Sequence, residues 1–248
     1  MDPIHQFQIK NFFTFGKIGA AEIAFTNSAL FMLIALAVIT WLMIGATASR
    51  ALVPGRMQSI AEISYEFVAN TLRSSAGSEG MKFFSLVFSL FMFILAVNVI
   101  GLIPYTFTVT SHIIVTASLA LLVFTIVIVY GFWKNGLRFF KLFAPSGIPI
   151  YLMPLIVLIE VMSFLSRPLS HSLRLFANML AGHITLKVFA GFITMLGAFG
   201  FFGWLGAIVP FALVVAVTAL EFLVAFLQAY VFAILTCIYL NDAIHPGH

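Results

Sequence analysis

Five Asp, Glu, Lys or Arg side chains stand inside stretches that are otherwise apolar: Glu160, Arg167, Arg174, Lys187 and Glu221. A charge at bilayer depth costs about 2.5–3.5 kcal/mol on insertion scales, so such residues mark functional paths. Arg174 is the most constrained chemically. Its guanidinium stays protonated at any accessible pH, so it cannot relay a proton. It can hold a carboxylate, and it can interrupt a path for positive charge. A carboxylate sliding past it must be ionised to be held. A structural ion pair with Glu160 or Glu221 is the other use of the same charge. In a helix, Glu160, Arg167, Arg174 and Asn178 follow at steps of seven, seven and four and share a face. Glu160 then lies about 21 Å from Arg174 along the axis. His171, Ser163, Ser166 and Ser170 widen that side. Further on, Thr218, Glu221 and Gln228 share a second polar face. The small Ala225 between them leaves room for water or a partner helix.

The remaining polar groups carry weaker signals. His183, nine residues after Arg174, falls on roughly the opposite side of the helix, and its spacing alone fits a structural or a functional role equally. Lys187 stands one turn beyond, near a helix end, where its head snorkels to the interface. Asn98 reads as an interhelical hydrogen-bond donor. The lone Cys237 excludes an internal disulfide, lacks a Cys/His neighbourhood of metal-site spacing, and reads as a small buried apolar residue. Ser170 and His171 are sequence neighbours on different helix faces, a poor nucleophile–base pair for an intramembrane hydrolase. Neither a metal nor a cofactor is expected, nor a catalytic site of the chain's own.

The elements that must hold these groups are membrane helices. Apolar residues make up 62% of the 248 and charged ones 8%, against roughly 25% charged in soluble domains. So few charges cannot cover a water-soluble surface, and the lipid bilayer must be the main solvent. The basic excess, 12 Lys+Arg against 8 Asp+Glu, belongs to loops and not to a nucleic-acid partner. Three charge-free runs, 28–48, 83–103 and 113–133, each have the roughly 20 residues that a span needs. Regions 151–196 and 205–240 are too long for upright spans, which implies tilt, a kink or a break. Gly197, Gly200, Gly203 and Gly206 mark the turn joining them. The predicted class is therefore an all-α polytopic membrane protein forming a single membrane domain over 1–248.

Segment 57–72 places Ile60, Ile63, Phe67 and Leu72 on one face and follows a Pro54-Gly55 break. It reads as an amphipathic helix in the interface plane, with a docking surface for another subunit as the alternative. The basic residues Arg50, Arg56, Arg73 and Lys82, then Lys134, Arg138 and Lys141, put two loops in the cytoplasm, because the loop between them has no Lys or Arg. The N-terminal arm, 1–27, is then outside and the C-terminus inside. Lys10 and Lys17 work slightly against this assignment. The arm does not resemble a cleaved signal peptide, because the first long apolar run begins near Ser28.

The run RPLSHSLRLFANMLAGH, Arg167–His183, closely resembles the signature of subunit a, the membrane stator subunit of the F-type ATP synthase. The run Leu220–Leu240 resembles that family's C-terminal helix, and Val53–Gln58 and Asn98–Pro104 are similar to its earlier landmarks. The likeness covers nearly the whole chain. It implies a strongly tilted C-terminal hairpin lying against a rotating ring of c subunits. Arg174 then matches the arginine that faces the ring carboxylate and separates two aqueous half-channels. Glu160 matches an acid of the cytoplasmic half-channel. His183 and Glu221 match a polar pair of the opposite one, and Asn178 and Gln228 match polar residues near the arginine. In some bacterial members the acid and the histidine of that pair are exchanged, and the order here resembles the mitochondrial arrangement. Ala177 stands where many members have Gly, and Gly101 where some have an acid.

The implied function is proton conduction to the c-ring, coupled to rotation and ATP synthesis. The implied partners are subunit c, the peripheral-stalk subunits b and the rest of the F1Fo complex. The implied location is an energy-transducing membrane, of the bacterial inner-membrane kind. The competing class is a stand-alone proton-coupled secondary transporter, with Arg174 holding an anionic substrate. The inverted repeat of such transporters is not visible.

Overall fold

The structure, a computed structural model, describes residues 9, 11–18, 21–48, 54–103, 106–143, 149 and 151–246. Val53 and Pro104, at the edges of two of the quoted runs, lie outside them, as do Ser49, Arg50, Lys10 and most of the first ten residues. Among the described residues six helices dominate: α1 (Asn27–Ala48), α2 (Arg56–Gly80), α3 (Phe84–Gly101), α4 (Ile113–Asn135), α5 (Met153–Gly197) and α6 (Gly200–Ile244). Short 3₁₀ segments lie at Met81–Phe83, Val109–Ser111 and Gly136–Leu142. Among the described residues, five helical stretches are long and apolar enough to cross a membrane. This is an all-α polytopic membrane protein.

One feature of the arm was not anticipated. Strands β1 (Asn11–Ile18) and β2 (Ala21–Thr26) pair antiparallel, from Asn11 opposite Thr26 to Ile18 opposite Ala21, with two register shifts. Thr26 then starts α1, its hydroxyl accepting from the Ala29 amide at 3.3 Å in the manner of an N-cap.

Helices α5 and α6 have 45 residues each, about 68 Å of helix, more than twice a hydrocarbon core of roughly 30 Å. They must tilt or extend beyond the core. The turn between them depends on glycine. Gly200 adopts φ 71°, and at Gly203 a side chain would strike the Leu196 carbonyl.

The chain gathers into two compact units. The first draws on Met1–Thr40, Phe93–His112 and Leu175–Gln228, and the second on Trp41–Met92, Ile113–Arg174 and Ala229–His248. The first is built around Ile94, Val97, Phe107, Val109, Leu175 and Met179. In the second, α2 buries Val68, Leu72 and Ala76, spaced as one helical row, and its Phe67 meets Phe91 and Tyr230 at ring distances of 5.6 and 5.2 Å. The row explains why α2 runs past 72. Its first half leaves Ile60 and Ile63 exposed, and its second half packs into the unit. Within the second unit the Asn135 amide donates to the Ala243 carbonyl at 2.7 Å, and Lys134 pairs with Glu79.

Helix α2 bends at Gly77, whose φ 65° and ψ −165° fall in a region open essentially to glycine alone. Gly77→Ala has free space for its methyl but the wrong backbone. It is expected to cost about 1–3 kcal/mol, read as a lower midpoint of thermal unfolding in detergent.

Candidate functional site

In the second unit, α5 presents an exposed row of Ser163, Ser166, Ser170 and Arg174. Exposed leucines flank it, among them Leu165, Leu169 and Leu173. Arg174 forms no ion pair among the described residues. The structural pair with Glu160 or Glu221 is therefore not what holds it. Glu160 is half-buried on the same helix, two heptads earlier. His171 turns the other way. It is buried, with its ring 3.7 Å from the centre of Phe232 and 6.0 Å from that of Tyr239. Ser170 is on the exposed side of α5, so the two neighbours diverge as helical spacing requires.

Arg167 does not point along the stripe toward Glu160. Its Nη1 donates to Asp242 Oδ2 at 2.6 Å, and its guanidinium lies 5.3 Å from the Phe164 ring centre and 5.0 Å from that of Tyr239. Asp242 escaped the sequence reading because the apolar run ends at Leu240, whereas α6 continues to Ile244. The signal was an acid two residues beyond the run. Removing this carboxylate leaves a largely buried guanidinium unpaired, so Asp242→Ala is expected to cost about 1.5–3 kcal/mol. The apolar double change Arg167→Met with Asp242→Leu should restore most of that loss, because swapping a buried pair for packed hydrophobic groups is often neutral. Thermal unfolding of the three proteins measures both.

The first unit holds a second polar cluster, and here the α5 and α6 residues do meet. Asn178 donates to Gln228 Oε1 at 2.8 Å. His183 is buried, its Nε2 3.0 Å from the Thr108 hydroxyl. Glu221 is buried too, and neither carboxyl oxygen has a hydrogen-bond partner among the described residues. That carboxyl rests on Gly182, where an added Cβ would collide with Oε1, Cδ and Cγ of Glu221. Gly182 immediately precedes His183, so one glycine lets the acid of α6 approach the histidine's turn of α5. A third side comes from the chain after α3. Thr110 donates to Asn98 Oδ1 at 2.9 Å, and Asn98 donates in turn to the Ala225 carbonyl at 3.4 Å. Asn98, Thr108 and Thr110 are all buried. The sequence singled out Asn98 but not the two threonines, which sit in a short segment without charge. Lys187 is half-buried one turn past His183.

A buried carboxyl without a partner is costly to keep and calls for a reason. Here it shares a unit with His183, Thr108 and the Asn178–Gln228 pair. Glu221 and His183 can take up and release protons, and the hydroxyl and amide groups can donate and accept hydrogen bonds. Among the described residues no cluster of metal-binding side chains occurs.

The family described as "ATP synthase A chain" matches residues 29–241.

The chain belongs to the ATP synthase A chain family.

Proteins named ATP synthase subunit a resemble it over their full length. One from Nitrobacter winogradskyi is 71% identical over 248 residues, with all of both chains covered. One from Rhodopseudomonas palustris strain BisB18 is 68% identical over 248 residues, again with both chains fully covered. One from R. palustris strain BisB5 is 71% identical over 247 residues, covering all of this chain and 99% of the relative. As a member of the ATP synthase A chain family, the protein is a multi-pass membrane component of an ATP synthase and serves ATP synthesis and ion transport. The matched range takes in nearly all of α1 through nearly all of α6, and so both polar clusters apart from Asp242.

Proposed function

We propose that the chain is the proton-conducting stator of the F-type ATP synthase, offering two offset half-channels to a rotating c-ring. The observation that carries this reading is Arg174, exposed, without an ion pair among the described residues, and the one charge in a row of small serines flanked by leucines. A guanidinium in that position needs a carboxylate from outside the chain, and the serines beside it let a partner helix come close. Glu221, whose carboxyl has no hydrogen-bond partner among the described residues, and the buried His183 support proton uptake from the outer side.

A proton arriving by Glu221 and His183 neutralises a ring carboxylate. The neutral site passes into lipid at low electrostatic cost. After nearly a full turn it releases its proton toward Glu160, on the cytoplasmic side. The renewed carboxylate is then drawn past Arg174, which blocks direct passage of protons between the two paths. Asn178 and Gln228 order the polar surface next to that crossing. The membrane potential contributes about 2.3 kcal/mol per charge per 100 mV. The torque drives ATP formation in the head of the complex, and the chain itself makes no ATP. Subunits c and b are its partners, its membrane is the bacterial inner membrane, and its termini lie outside (N) and in the cytoplasm (C). Proton passage distinguishes this reading from a stand-alone transporter. In liposomes the purified chain alone should leave a trapped pH dye unchanged under an imposed potential, whereas the complete membrane sector should acidify or alkalinise the lumen. Proton flux through the chain alone would favour the transporter and sink the stator reading.

A further inference from the structure

Where α4 ends, the 3₁₀ segment Gly136–Leu142 turns back on the helix. Gly131 makes this possible, since a Cβ there would overlap the Phe139 ring. Between α4, this segment and α5 lies an open groove of about 440 Å³ within the second unit. Its walls are entirely apolar and include Phe132, Phe139, Phe140, Phe143, Val161 and Leu165.

The rim is cationic. In a 3₁₀ helix residues three apart eclipse, so Arg138 and Lys141 stand in one row beside the groove-lining Phe140 and Phe143. Both are exposed, and neither has an ion pair among the described residues. Lys134, one turn earlier, is already neutralised by Glu79. No acid occurs between Glu79 and Glu160. Glu160 stands on α5 between the groove-lining Val157 and Val161, and it pairs with neither cation among the described residues. Trp133 and Tyr151, at the end of α4 and just before α5, are strongly exposed, as aromatic residues are at the headgroup level of a bilayer.

We propose that this groove is a binding site for an anionic phospholipid, one acyl chain lying along the aromatic walls and the phosphate held by Arg138 and Lys141. Two like charges in one row repel until an anion sits between them, and an apolar slot that opens into bilayer takes hydrocarbon. Cationic side chains at the membrane surface favour anionic lipids by roughly fivefold each. Nothing in this site depends on proton transfer.

The test uses the intact ATP synthase complex, carrying a photoreactive benzophenone amino acid in place of Leu165. The complex is placed in nanodiscs with equal fractions of phosphatidylglycerol and phosphatidylcholine. Irradiation should yield adducts enriched roughly 25-fold in phosphatidylglycerol. Arg138→Gln with Lys141→Gln should bring that ratio near one, with ATP hydrolysis by the complex unchanged. Val161→Phe, which fills the slot, should reduce lipid adducts of both kinds. Equal labelling of the two lipids in the unaltered rim, or an adduct with a polypeptide of the complex, would overturn the proposal.

Discussion

Arg174→Ala is expected to lower proton-driven ATP synthesis by the assembled complex roughly a hundredfold or more, with the complex still assembled. The magnitude follows from electrostatics. A unit charge pair about 4 Å apart gains on the order of 4 kcal/mol at an effective dielectric constant of 20. Losing about 2.7 kcal/mol of that from the step that carries an ionised carboxylate past α5 already slows it roughly a hundredfold. Stability gives no competing explanation. Arg174 is exposed and forms no ion pair among the described residues, so truncating it removes no internal contact of that kind. Surface substitutions of this sort stay within about 0.5 kcal/mol. Arg174→Lys is the informative partner change. It keeps a positive charge but loses the fork geometry, and its ammonium can give up a proton in an apolar setting, so it should recover little. ATP synthesis by inverted membrane vesicles under an imposed pH difference and potential measures both against the unaltered complex. Near-normal synthesis in Arg174→Ala would refute the barrier role.

The sequence made Arg174 conspicuous because charge type and apolar context are both written in it. It could not say which way the side chain faces. Helical spacing grouped Glu160, Arg167 and Arg174 on one stripe, yet burial separates them: Arg174 exposed, Glu160 half-buried, Arg167 pulled to Asp242. Spacing defines a face only within some tens of degrees, and a flexible arginine spans that width to reach a carboxylate on another helix. The number and type of the membrane helices were legible because bilayer thickness fixes length and composition together. The β1–β2 pair was not, because a two-stranded ribbon has little hydrophobic pattern of its own. Thr108 and Thr110 were invisible for a related reason. A threonine becomes polar machinery only when the fold buries it beside His183 and Asn98.

Gly182 was the least legible part of the site, since glycine offers no chemistry to notice, and it leads to the second large effect. Glu221→Gln keeps the shape of the buried side chain but removes the group that ionises. If this carboxyl passes protons to the ring, ATP synthesis and proton flux should fall roughly a hundredfold, the lower end of what a positioned acid–base group contributes. ATP hydrolysis by the detached head should stay normal. Gly182→Ala should act on the same step from the other helix, because its methyl collides first with Oε1, then with Cδ and Cγ of Glu221. Shortening the acid relieves that collision. In the Gly182→Ala background, Glu221→Asp should therefore restore part of the flux, although Glu221→Asp alone lowers it. Residues in contact couple by about 0.5–3 kcal/mol, so the rescue should be at least about twofold in proton flux through vesicles. Strictly additive losses in the double variant would mean that Gly182 and Glu221 act independently. Unchanged flux in Glu221→Gln would remove the carboxyl from the proton path altogether, leaving its burial without a partner to be explained by structure alone.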